Sequence, residues 1–188
     1  TRYTAPGLKD AAFIKTKLVG IYNYYNALCA ACIGTFFKVE DDLIKNALES
    51  YEPTNNRSQL FKTENNTLIL DYYNANPSSM KAAIENFSGM PAENKMLVLG
   101  DMLELGEESV EEHIALLQLL KEKKLQDYIL VGPVFSSLQK NAPTGGAERS
   151  FPDSRQALEF LQANAVKNKT ILIKGSRGIA LEEVVKAL

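Results

Sequence analysis

From residue 57 onward the sequence alternates short apolar runs with helix-like stretches, and this alternation restricts the fold more than any other feature. The apolar runs are "TLILD" (67–71), "KMLVLG" (95–100), "DYILVG" (127–132) and "TILIKG" (170–175). Each has the length of a strand, and none shows the polar–apolar alternation of a sheet with one wet face. Strands apolar on both faces belong to a parallel sheet covered by helices on each side. The stretches 77–87, 110–122, 154–165 and 179–188 predict those helices. "SQLFKT" and "TLILDYY" flank Glu64-Asn65-Asn66 and predict a β-hairpin, which adds an antiparallel edge strand. The expected class is α/β: a mainly parallel, doubly wound sheet with helices on both faces.

Local signals agree with this pattern. Asn76 before Pro77 reads as an N-cap followed by proline at the first helical position, where its missing N–H costs nothing. Ser109 with Glu112, and Asp153 with Gln156, have the capping-box spacing. "NAPTGGAERS" (141–150) predicts a surface loop.

The first 56 residues differ. "YNYYNALCAACIGTFF" (22–37) predicts one helix and "EDDLIKNALESY" (40–51) another, with Leu43, Ile44, Ala47 and Leu48 at helical spacing. Two helices cannot enclose a core of their own, so residues 1–56 read as the tail of a larger domain and 57–188 as a second domain. The polar "YEPTNNRSQ" (51–59) divides them. Cys29 and Cys32 form C-A-A-C, but in mid-helix rather than at a helix start, and zinc would need further ligands. Both are expected to be buried small residues. His113, the one histidine, is expected in a surface or cap-packing role, and no metal site is expected in the chain.

Composition excludes several partner classes. Lys and Arg total 21 against 23 Asp and Glu, a net charge of −2, so nucleic acid and anionic membranes have no electrostatic attraction to it. The longest apolar run, 27–37, is shorter than the roughly 18 residues a bilayer span requires. The first residues lack a charged-then-apolar signal pattern, which predicts a cytoplasmic protein.

Ligands of a doubly wound sheet collect at the carboxyl ends of its parallel strands. Here those ends read "DYYNANPSS", "LGDMLELG", "VGPVF" and "KGSRG", three of them polar or charged. Asp71 could accept hydrogen bonds from a ribose. The N–H groups of Ser78 and Ser79, at a helix start, could receive a phosphate or carboxylate, although Asn76 could equally serve as a cap alone. In "KGSRG", Gly175 and Gly178 allow close ligand approach and Arg177 offers a planar fork suited to a carboxylate; the alternative is a solvated arginine at a helix start. No strand is followed by GxGxxG, and GxxxxGK[ST] is absent, so a dinucleotide site or a phosphate loop is not expected within this chain.

The combination of "TNNRSQL", "DYYNANPSSMKAAI", "VLGDMLELGEES" and "IKGSRG" resembles the Mur ligase family. "YNANP" followed by "LGDMLELG" is similar to the members that add D-alanyl-D-alanine to a UDP-N-acetylmuramoyl-tripeptide. Folylpolyglutamate synthases are more distantly similar. "LVGIYNYYNALCAACIG" looks like the end of the family's ATPase domain, so the resemblance covers about residues 16–188. It implies three domains, of which this chain matches the tail of the central one and all of the last; the N-terminal and central domains would be partners. It implies ATP and Mg2+, with the phosphate loop and principal magnesium ligands outside this chain. By position, Asn26 resembles the asparagine at adenine, Arg57 the hinge arginine at the ATP phosphates, and Asp71 the ribose-binding acid. Asn74 and Asn76 would face the γ-phosphate or incoming amine, and Ser176 and Arg177 would hold the dipeptide. A non-catalytic small-anion module and a docking domain are the contrasting readings.

Overall fold

The computed structural model describes residues 14–21, 23–141 and 149–188. The chain separates into two compact units, Thr1–Thr54 and Asn55–Leu188.

In the first unit, α1 (Asn23–Phe36) and α2 (Asp41–Ser50) pack through one row of small residues. Asn23, Ala27 and Ala31 recur every fourth position and are buried. Gly34 continues that face so closely that a Cβ there would lie 2.9 Å from the Ile44 side chain. Of the four apolar positions expected to bury α2, Ile44 is buried and Leu48 half-buried, while Leu43 and Ala47 are exposed. Cys29 and Cys32 are also exposed, contrary to expectation. Helix geometry gives the reason: with the 23–27–31 row turned inward, both thiols fall on other faces.

The second unit is a six-stranded sheet of β1 (Gln59–Lys62), β2 (Thr67–Asp71), β3 (Lys95–Gly100), β4 (Tyr128–Val131), β5 (Arg149–Phe151) and β6 (Thr170–Lys174), in the order β1-β2-β6-β3-β4-β5. β1 is antiparallel to β2, and all other pairs are parallel. Side chains alternate between the two faces. Leu68, Leu70, Met96, Val98, Ile129, Val131, Ile171 and Ile173 form one core with α6 (Ser154–Ala163) and α7 (Glu182–Val185). Their neighbours Ile69, Leu97, Leu99, Leu130 and Leu172 are buried on the opposite face. There α3 (Pro77–Gly89), α4 (Ser109–Glu122) and α5 (Pro133–Asn141) bury Met80, Ile84, Phe87, Leu116, Leu120 and Phe135.

The four apolar strands are parallel, as their composition requires. Several features depart from the sequence reading, among them α5, which none of the predicted helical stretches covers. Residues 149–151 form β5 rather than loop, paired with Ile129–Val131 through the backbone; residues 142–148 of that expected loop lie outside the described ones. The expected helix over 179–188 is shorter, because a 3-10 turn at Arg177–Ile179 ends in Ala180 with φ 57, a left-handed residue that interrupts the winding. Ser109 does not cap α4: the 3-10 turn Gly106–Glu108 runs directly into the helix, and no side chain caps it. Asn76 caps α3 through the Ser79 N–H, as expected, with the Ser79 hydroxyl accepting from the Asn76 N–H. Asp153 accepts the Gln156 N–H, and the Gln156 side chain returns to the Asp153 carboxylate rather than to the cap N–H.

Candidate functional site

Parallel pairing of β2 with β6 sets Asp71 directly beside Lys174, the last residues of their strands. The Lys174 side chain is 3% exposed, and its ammonium donates to Asp71 Oδ2 at 2.7 Å and to the Asn74 carbonyl at 3.3 Å. The other oxygen, Asp71 Oδ1, accepts the Ser58 N–H at 3.0 Å. One carboxylate thus fastens three segments: the entry into β1, the end of β2 and the end of β6. Lys174 is internal, with its charge turned to the protein.

Between β6 and β3 the backbones nearly touch. A Cβ on Gly175 would fall 2.8 Å from the Gly100 Cα, so the space that sequence reading assigned to a ligand is filled by protein. This approach brings the loops together. The Ser176 N–H donates to the Asp101 carbonyl, and the Ser176 hydroxyl accepts the Leu103 N–H at 2.9 Å while donating to the Ala75 carbonyl. Ser176 is buried, its hydroxyl occupied in joining "LGDMLELG" to "KGSRG" and "NANP".

Asp101 and His113 support the same loops from below. Asp101 is wholly buried, and its carboxylate accepts the Val134 and Phe135 N–H groups at the start of α5. A Cβ on Gly132, whose φ is +135, would overlap that carboxyl group. His113 is buried too, not at the surface: Nε2 accepts the Met102 N–H at 3.0 Å and Nδ1–H donates to the Ser109 carbonyl. Its ring packs edge-on against Phe135. Its role is cap-packing of the loop after β3.

Above this framework are two arginines. Arg57 lies between Asn56 (φ 55) and Ser58 (φ 51), both left-handed, so the chain turns sharply on either side of it. Tyr72 points into the core, where burial and then the Glu182 charge push its phenol above the usual range. Tyr73 lies in the bend that follows β2 and is exposed. The Arg57 guanidinium lies 4.1 Å from the Tyr73 ring centroid and that of Arg177 lies 5.5 Å from the same centroid. Both arginines are exposed, and among the described residues neither has a carboxylate in ion-pair range.

The asparagines are placed as follows. Asn74 is exposed, its Oδ1 accepting the Ala75 N–H. Asn76 Oδ1 accepts from the Ser79 N–H and the Ser78 hydroxyl, so the Ser79 N–H offered to an anion by sequence reading is already used. Asn26 is in the first unit, exposed on α1, donating to Asn23 Oδ1. The strand-end carboxylates do not suit a magnesium ion. Among the described residues no three His, Cys, Asp or Glu side chains gather, and Asp71 and Asp101 are committed to Lys174, Ser58 and α5. The surface is suited to anions. Sequence reading singled out Arg57, Asp71 and Arg177, which the structure places around the ends of β2 and β6; it did not single out Tyr73 or Asp101.

The family described as "Mur ligase, glutamate ligase domain" matches residues 56–177. A UDP-N-acetylmuramoyl-tripeptide–D-alanyl-D-alanine ligase from Bacillus subtilis is 32% identical over all of this chain and 42% of its own length. The corresponding Escherichia coli ligase is 32% identical, with 100% of this chain and 41% of the relative covered. A crystal structure of MurF from Acinetobacter baumannii superposes with a TM-score of 0.83 at 28% identity, covering 95% of this chain and 40% of that one. The chain therefore spans about two-fifths of the relatives it matches. With the family match beginning at the second unit and the parallel sheet, strand-end loops and paired arginines in place, the chain belongs to the Mur ligase family.

Proposed function

We propose that this chain is part of a cytoplasmic, ATP-dependent amide ligase that joins D-alanyl-D-alanine to a UDP-N-acetylmuramoyl-tripeptide in peptidoglycan precursor synthesis. Residues 1–56 would be the tail of its central ATP-binding domain and 57–188 the domain that receives the dipeptide. The observation that carries this reading is the pair of exposed guanidiniums, Arg57 and Arg177, held over strand-end loops and free of carboxylate partners among the described residues. Two charged forks in one place favour polyanionic and carboxylate ligands.

In the reaction the γ-phosphoryl group of ATP passes to the tripeptide carboxylate. The dipeptide amine then attacks the acyl phosphate, and inorganic phosphate leaves as the C–N bond forms. Arg57 would stabilise charge on the transferring phosphoryl group. Asp71, whose Oδ1 already takes both the N–H and the hydroxyl of Ser58, would accept from the ribose through Oδ2 beside Lys174, and Asn26 would contact adenine. Asn74 and Asn76 would face the γ-phosphate or the amine. Arg177 would hold the dipeptide carboxylate, in a turn located by the buried Ser176. Mg2+ would find its ligands in another part of the enzyme.

The test is phosphate release by the full-length gene product supplied with ATP, UDP-N-acetylmuramoyl-tripeptide and D-alanyl-D-alanine. Release dependent on all three is expected. The present chain alone should give none, since phosphoryl transfer requires a phosphate cradle and a metal; the sequence has no GxxxxGK[ST] loop, and no metal-holding cluster forms among the described residues. Phosphate release with the dipeptide omitted, or replaced equally well by L-glutamate, would assign the enzyme another substrate.

A further inference from the structure

We propose that Tyr73 is a positioning residue that holds Arg57 and Arg177 as one anion-binding unit, an inference that rests on the ligase reading above for its catalytic consequence. The two arginines come from distant parts of the sequence, and each carries a full positive charge. Left to themselves on an exposed surface, two long cationic side chains would separate and sample many rotamers. Instead both lie within the roughly 6 Å at which an aromatic face attracts a cation, at 4.1 and 5.5 Å from the same centroid. The guanidinium carbons are therefore no farther apart than those two distances laid end to end.

The ring is itself well fixed. Tyr72 before it is locked in the core, and the Asn74 carbonyl just after it accepts from the buried Lys174, so the bend that carries Tyr73 is held on both sides. Arg57 is fixed from its other side, since the next residue, Ser58, donates its N–H to Asp71. The platform thus stands on the buried Asp71–Lys174 pair, and it presents two forks whose N–H groups remain available to a ligand. Because the ring face makes both contacts, phenylalanine should serve in its place and an aliphatic residue should not. The functional consequence is coupling. The fork assigned to phosphate and the fork assigned to the dipeptide share one support, so disturbing either should be felt by the other.

Two measurements on one pair of variants test this. In the present chain, ring currents should move the δ-methylene proton resonances of Arg57 and Arg177 upfield; the shift should vanish in Tyr73→Leu and persist in Tyr73→Phe, with the unfolding midpoint unchanged in both. In the full-length enzyme, Tyr73→Leu should lower kcat/KM for the dipeptide about three- to tenfold, and Tyr73→Phe should recover most of that. Arg57→Ala and Arg177→Ala should be non-additive with Tyr73 present and additive in the Tyr73→Leu background. Unshifted arginine resonances in the parent chain, equal losses in the Phe and Leu variants, or unchanged kinetics in Tyr73→Leu would each overturn the proposal. A full-length protein inactive before any substitution would instead refute the ligase reading, and the resonance shifts would still decide whether Tyr73 holds both arginines.

Discussion

Lys174 is nearly as buried as the leucines around it, and Asp71 keeps that charge tolerable. Removing one member of a buried pair leaves the other uncompensated, at a cost of roughly 3 kcal/mol or more. Lys174→Ala should therefore lose about 3 kcal/mol in urea denaturation, while the joint replacement of Asp71 and Lys174 by apolar residues should lose clearly less. The exposed arginines should behave in the opposite way, with little effect on folding. In the full enzyme, Arg57→Ala should act mainly on kcat, because one contact to developing charge is worth on the order of 3 kcal/mol. Arg177→Ala should raise the dipeptide KM about tenfold to hundredfold, as loss of a charge-assisted contact implies. Unchanged turnover or unchanged KM, respectively, would remove each residue from its role. Residue types legible in the sequence were the exposed ones offered by loops. Lys174 was not, because only the register of β2 against β6 places it beside Asp71, and neither strand states which neighbour it will have.

Among the elements, those with an apolar run or a capping pair of their own were readable, and those defined by a distant partner were not. β5 has no apolar run; it exists because its backbone satisfies the open edge of β4, and the Gly132 N–H adds a bond to the Phe151 carbonyl. α5 lacks a local cap, since Asp101 reaches its first N–H groups from the end of β3. α6 is the contrasting case, with its cap written beside it. The Gln156 N–H holds the Asp153 carboxyl below the usual range of about 3.8. A depressed folded-state value means that the cap contributes fully above the unfolded value and is lost as pH falls through the folded one. Asp153→Ala should cost about 1 kcal/mol at neutral pH, with a smaller difference at pH 2. Asp153→Asn, which caps without ionising, should retain most of the stability and flatten its dependence on pH below 4; thermal unfolding at pH 7, 4 and 2 distinguishes these outcomes.

Considered whole, the molecule divides its hydrophobic core unequally. The sheet of the second unit is covered on both faces, whereas α1 and α2 leave Ile33, Phe36, Phe37 and Leu43 exposed. A segment comprising Asn55–Leu188 should unfold cooperatively alone, with a midpoint close to that of the main transition of the chain, and one comprising Thr1–Thr54 should show little helical circular dichroism by itself. A broad, non-cooperative transition in the larger segment would show that the sheet depends on the preceding helices. The second unit is also entered and left at opposite ends of its sheet. The Leu188 carbonyl accepts from Thr63 and Asn66, beside the start of β2, while the chain enters through Ser58, bonded to Asp71 at the end of β2. Both ends of β2 are therefore tied to segments outside it, the start through the Leu188 carbonyl and the end through Ser58. Fraying from either side must break one of these bonds before it reaches the sheet. The amide protons of the strand that carries Asp71 should thus be among the last of the second unit to exchange with solvent.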